Sequence, residues 1–124
     1  MSKNKKQIRK DFRDAIFKRD KYTCQVCGQK YSPNQSSPEL KIVNAHHIID
    51  RNLMDNGGYC KENGITVCDS NGNFPGEISC HMIVEQWHIT NGDVAKVNNE
   101  HRPESLYKKI GSSYELALER SKNL

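Results

Sequence analysis

Five cysteines, two of them spaced as Cys24-x2-Cys27, constrain this chain more than any other feature. Hydrophobic residues make up 35% of its 124 residues and aromatics 7%, so apolar burial alone leaves a thin core. Thiols two residues apart, in a reducing compartment, point to a metal staple before a disulfide. Cys24 and Cys27 with Cys68 and Cys80 supply the four thiolates of a closed tetrahedral zinc site. The second pair is separated by eleven residues instead of two, Cys60 competes for the fourth position, and buried free thiols are the plain alternative.

No apolar run is long enough for a bilayer, and the start, MSKNKKQIRKDF, has charge without the apolar segment of a secretory leader. The expectation is a cytoplasmic protein with no membrane partner. Charge is unevenly placed. Residues 1–30 hold ten Lys or Arg against three Asp, and the remainder nine against twelve Asp or Glu. A basic arm on a nearly balanced body suits an anionic polymer, although a solubilising tail is the bland alternative.

Between Gln7 and Arg19, Ile8, Phe12, Ala15 and Ile16 form an apolar helical stripe opposite a basic face. Residues 22–28, YTCQVCG, read as a tight turn that bends both cysteines toward one point. The polar stretch YSPNQSSPE separates it from LKIVNAHHI, a strand by its alternation, and NGITVC reads as a second, antiparallel strand. DRNLMDNGGYCKE lies between them as a loop turning at Asn56-Gly57-Gly58. DSNGNFPGE is a loop with Asn-Gly and Pro-Gly turns, and SCHMIVEQWH a helix capped by Ser79. On that helix Cys80, Ile83, Val84 and Trp87 share one face, and His81, Glu85 and His88 another. Toward the C-terminus, Leu106, Ile110, Tyr114, Ala117 and Leu118 suggest one helix broken near Gly111 or two short ones. The domain expectation is one unit over 1–124: a basic helix at 1–21, a zinc-stapled core at 22–90 and a helical extension at 91–124.

In NAHHIID, His46 and His47 are adjacent on a strand and therefore point to opposite faces. A histidine pair, then Asn63 in ENGITVC, then Cys80-His81 opening a helix, with RDKYTCQVCG upstream, resembles the HNH endonuclease family over about residues 12–88. The chain departs from that pattern in the long Cys68–Cys80 interval, the extra Cys60, and Glu85 where many relatives carry a second helix histidine.

The resemblance implies an α+β fold: a small ββα-metal core with a structural zinc site and flanking N- and C-terminal helices. It implies a metal-dependent DNA endonuclease giving 5′-phosphate and 3′-hydroxyl ends. His46 and His81 would hold a catalytic divalent metal (Mg, Mn, Ni, Co or Zn) and His47 would be the general base. The chemistry suits this division, because an imidazole bound to a metal has no lone pair left to take a proton from water. Glu85, one turn beyond His81, is a third ligand, directly or through water, or a surface glutamate. Asn63, by local sequence an ordinary turn residue, would brace the loop between the strands. His88 reads as a solvated or capping residue.

Double-stranded DNA is the expected partner of a monomer or homodimer. Phosphate contacts are expected from Lys10, Arg13, Lys18, Arg19 and Lys21, with Lys3, Lys5, Lys6 and Arg9 on the same arm, and from Arg51 near the scissile bond. A non-catalytic zinc-binding nucleic-acid-binding module would account for the cysteines and charge but leaves His46, His47 and His81 without a purpose. A secreted nuclease toxin is disfavoured because no delivery segment is evident.

Overall fold

The computed structural model describes residues 4–31, 43–69 and 79–124. Lys3, most of the YSPNQSSPE stretch, the start of the LKIVNAHHI segment and the Asn-Gly and Pro-Gly turns of DSNGNFPGE lie outside the described residues. The described part is mixed: four α-helices and one two-stranded antiparallel sheet, the α+β class expected from the sequence.

Helix α1 (Lys5–Asp20) starts at Asn4, whose side chain accepts from Gln7 N at 2.8 Å, and stops where Lys21 turns left-handed at φ 55°. Its inward stripe is Phe12, Ile16 and Phe17. Ala15 faces solvent, and Phe17 takes the buried place that the spacing had suggested for it. Strands β1 (Val43–His47) and β2 (Gly64–Cys68) pair with Val43 opposite Cys68 and His47 opposite Gly64.

Three short 3-10 turns between the strands, at Arg51–Leu53, Asp55–Gly58 and Lys61–Asn63, carry the chain around the sheet end. Helix α2 (Cys80–Ile89) is capped by Ser79, whose Oγ accepts from Met82 N at 3.2 Å. The C-terminal pattern resolves into two helices, α3 (Pro103–Lys109) and α4 (Tyr114–Lys122), with Gly111 at φ 68° in the break. The core gathers Ile48, Met54, Ile65, Val67, Val84, Leu106, Tyr107 and Ala117 around the Cys24 and Cys80 side chains.

Two devices lock α1 onto the start of β2. The buried Asp20 carboxylate accepts from Thr66 N at 2.9 Å and from the Arg19 guanidinium at 2.8 and 2.9 Å. The same guanidinium donates to the Lys61 carbonyl at 2.6 Å and the Gly64 carbonyl at 2.7 Å. Gly64 permits the approach, since a Cβ there would collide with the Ile16 side chain and come within 2.8 Å of Phe12. Among the described residues no helix is long and apolar enough to cross a membrane.

Candidate functional site: a four-thiol cluster and an imidazole–carboxylate cluster

The turn after α1 is built for ligation. Cys24 N donates to Gln29 O and Gly28 N to Cys24 O, at 2.9 and 2.8 Å, which curls residues 24–28 so that Cys27 lies beside Cys24. Cys68 ends β2 and Cys80 begins α2, and one sulfur from each of the four lies within 4.8 Å of the others. Cys27 Sγ and Cys68 Sγ are 4.0 Å apart. A tetrahedron of Zn–S bonds of about 2.3 Å places sulfurs roughly 3.8 Å apart. Four soft donors at this spacing fit a zinc ion, so Cys24, Cys27, Cys68 and Cys80 form a group that could hold a metal.

The sulfurs differ electrostatically. Burial pushes the Cys80 and Cys68 thiols up, whereas for Cys24 hydrogen bonds, among them Cys27 N–H at 3.5 Å, outweigh burial and bring its value down. Tyr31 is pushed up to about 12 by burial and by the neighbouring thiol charges. Cys60, the sequence rival for the fourth position, is elsewhere: it is buried, 3.6 Å from Ala117 O and 3.5 Å from Ser121 Oγ, and ties α4 to the inter-strand turns.

His46 leaves β1 toward α2 and is 3% exposed. Its Nδ1 is 3.2 Å from Glu85 Oε2, and His81 Nε2 reaches the same oxygen at 3.3 Å. The His46 and His81 ring centroids are 5.8 Å apart, so strand and helix offer their donors to one region. Those two imidazole hydrogen bonds hold the Glu85 carboxyl well below the usual range. Burial lowers the His46 pKa, while the Glu85 hydrogen bond raises that of His81.

His88 is not the solvated or capping residue that its place near the helix end suggests. Its ring stacks on His46 at 5.0 Å and 19°, and its Nε2 is 2.7 Å from the His47 carbonyl oxygen. His46, Glu85 and His88 each offer a ligand atom within 4.8 Å of the others. Imidazole nitrogens with one carboxylate suit a divalent transition ion. His81 falls outside that tightest set, though its Nε2 borders it through Glu85.

His47 leaves the strand on the other side. Its ring stacks on Phe12 of α1 at 4.5 Å and 21° and meets the Tyr59 ring edge-on at 4.8 Å. Burial, followed by the charges of His46 and Arg51, lowers its pKa to about 4. Its Nε2 is shut off from solvent without a hydrogen-bond partner among the described residues. Tyr59 is half-buried, which would raise its pKa, but Arg51 and Arg9 beside the phenol bring it below the ordinary value. Two guanidiniums therefore stand next to the His47 pocket.

Asn63 is fully buried and uses both ends of its amide. Oδ1 accepts from Ile49 N at 3.1 Å and from Tyr107 OH at 2.7 Å; Nδ2 donates to Ile49 O at 3.1 Å and Gly58 O at 3.3 Å. It thus pins the residues after β1 to the turn before β2. Tyr107 was not singled out in the sequence, nor was Asp69, whose Oδ2 lies 3.2 Å from His81 Nδ1. Asp69 directly follows a cysteine of the four-thiol group, a local signal that the aspartate stands near the helix start.

Of the cations expected on phosphate, Lys10, Arg13, Lys18, Lys21 and Arg51 are exposed, and Lys10 also pairs with Asp14 at 2.6 Å. Arg19 turns inward to Asp20 and two carbonyls, because its position at the end of α1 faces the sheet rather than solvent. A groove of about 340 Å³ lined by Arg19, Asp20, Lys21, Thr23, Gln25, Lys109 and Ile110 lies apart from the imidazoles. No family model, curated protein or solved structure matches the chain.

Proposed function

We propose that the chain is a metal-dependent DNA endonuclease of the HNH type, with a ββα-metal core stapled by zinc on Cys24, Cys27, Cys68 and Cys80. The observation that carries the reading is the opposed orientation of adjacent imidazoles: His46 faces Glu85 and His81 on α2, and His47 faces Phe12 and Tyr59 on the α1 side. His46, Glu85 and His88 offer converging donor atoms that would hold the divalent cation, and His81, whose Nε2 meets the same Glu85 oxygen, would complete the ligand set. When bound, that cation supplies charge stabilisation at the phosphate and the departing 3′ oxygen.

His47 takes the proton from the attacking water. Its lowered pKa keeps the ring neutral at pH 7. Nε2 is enclosed, so the nitrogen left to meet water is Nδ1. Phe12 and Tyr59 clamp the ring so that the lone pair keeps one direction, and Asn63 keeps the chain leaving β1 in place. Arg9 and Arg51, beside the Tyr59 phenol, approach the phosphate, and the exposed cations of α1 bind neighbouring phosphates. The products are a 5′-phosphate and a 3′-hydroxyl.

A plasmid-nicking assay with Mg or Mn tests the reading. The zinc-loaded protein should relax supercoiled DNA, and His47→Ala should abolish cutting while retaining zinc and DNA affinity. Tight DNA binding without cutting in any divalent metal would instead identify a non-catalytic zinc-binding module.

A further inference from the structure

His81 has a carboxylate at each ring nitrogen. Nε2 is 3.3 Å from Glu85 Oε2, and Nδ1 is 3.2 Å from Asp69 Oδ2. Asp69 is the residue after Cys68 and His81 the residue after Cys80, and the thiols of those two cysteines meet in the four-sulfur cluster. A cation on the thiols would therefore cross-link the end of β2 to the start of α2 one residue away from both partners. Asn44 Nδ2, on the neighbouring strand, donates to the same Asp69 oxygen at 3.4 Å and helps fix its direction.

We propose that Asp69 is a positioning residue: its carboxylate accepts the Nδ1 proton of His81, fixes that tautomer, and turns the Nε2 lone pair toward the cation site shared with His46 and Glu85. This rests on the reading of His81 as a ligand. A carboxylate on the far nitrogen of a ligating histidine orients the ring and raises its basicity. Here it also couples the two sites, because the cysteine cluster sets the Asp69–His81 distance. The thiol site thereby conditions the affinity of the imidazole site without sharing a ligand with it.

The test is Mn2+ binding by calorimetry to the full-length, zinc-loaded protein. Asp69→Asn should weaken Mn2+ binding roughly 10–100-fold with about one zinc per chain retained and the melting temperature unchanged. In the wild type at pH 8, nitrogen chemical shifts should place the His81 proton on Nδ1, a readout that does not depend on how any variant folds. Unchanged Mn2+ affinity in Asp69→Asn, with binding lost in His81→Ala, would overturn the role of Asp69 and leave the ligand set standing. A wild-type His81 carrying its proton on Nε2 would overturn it as well. Full affinity in His81→Ala would sink both the ligand assignment and this inference.

Discussion

The Tyr107 hydroxyl donates a 2.7 Å hydrogen bond to Asn63 Oδ1 inside the protein, joining the C-terminal α3 to the turn that precedes β2. The same oxygen also accepts from Ile49 N, and burial raises the Tyr107 pKa, so the phenol stays a neutral donor. Tyr107→Phe removes one donor without opening a cavity. We expect a loss of about 1–2 kcal/mol in urea unfolding, with zinc content unchanged. Unaltered stability would mean that the hydroxyl contributes no net hydrogen bond.

His47 should titrate well below an ordinary histidine. Its folded pKa is lowered to about 4 by burial and by the charges of His46 and Arg51, against roughly 6.5 for an exposed ring. Between those values the unfolded chain binds a proton that the folded one refuses. Stability is therefore present above about pH 6.5 and is lost as pH falls toward 4, by on the order of 3 kcal/mol for this group. Following the His47 Cε1–H resonance from pH 8 to 4 checks it; a midpoint near 6.5 would contradict the packing on Phe12 and Tyr59.

Gly64→Ala should destabilise although the backbone there is ordinary extended chain at φ −132°. The cause is space: a methyl group meets Ile16 and Phe12 and pushes α1 off β2. Overpacking of this kind costs about 1–3 kcal/mol, read as a lower urea midpoint. Ile16→Val in the same background should recover part of the loss.

The four-thiol group makes a clear distinction among the cysteines. With the proposed zinc on this group, Cys68→Ser should lose about one zinc per chain by elemental analysis and with it cooperative unfolding, because a structural zinc site contributes folding energy directly. Cys60→Ser should retain the metal, since Cys60 contacts Ala117 and Ser121 instead.

Lys18 and Arg19, adjacent in sequence, should separate cleanly. On the proposed function, Lys18→Gln should weaken DNA binding and lower the salt slope by about 1 with unfolding unaffected. Arg19→Gln should destabilise by about 1–3 kcal/mol, because it strips the buried Asp20 carboxylate and two carbonyls of a donor. Equal effects of the two on DNA affinity, with no stability change, would place the Arg19 guanidinium outside the protein.

The sequence by itself determined what is local and periodic. The α1 stripe through Phe12 and Ile16, the Ser79 cap, the Cys24–Cys27 turn, the break at Gly111 and the opposed directions of His46 and His47 all follow from the 3.6- and 2-residue repeats, capping and turn chemistry. Tertiary structure alone decided which side chains meet. His88 and the His47 carbonyl are 41 residues apart, Tyr107 and Asn63 44, Arg19 and the Gly64 carbonyl 45. Such pairings depend on how α1, α2 and α3 sit against the hairpin, and therefore on long-range packing. A repeat can say which face a residue occupies; only the angle at which that face is covered says whether it finds solvent, a carbonyl or another ring.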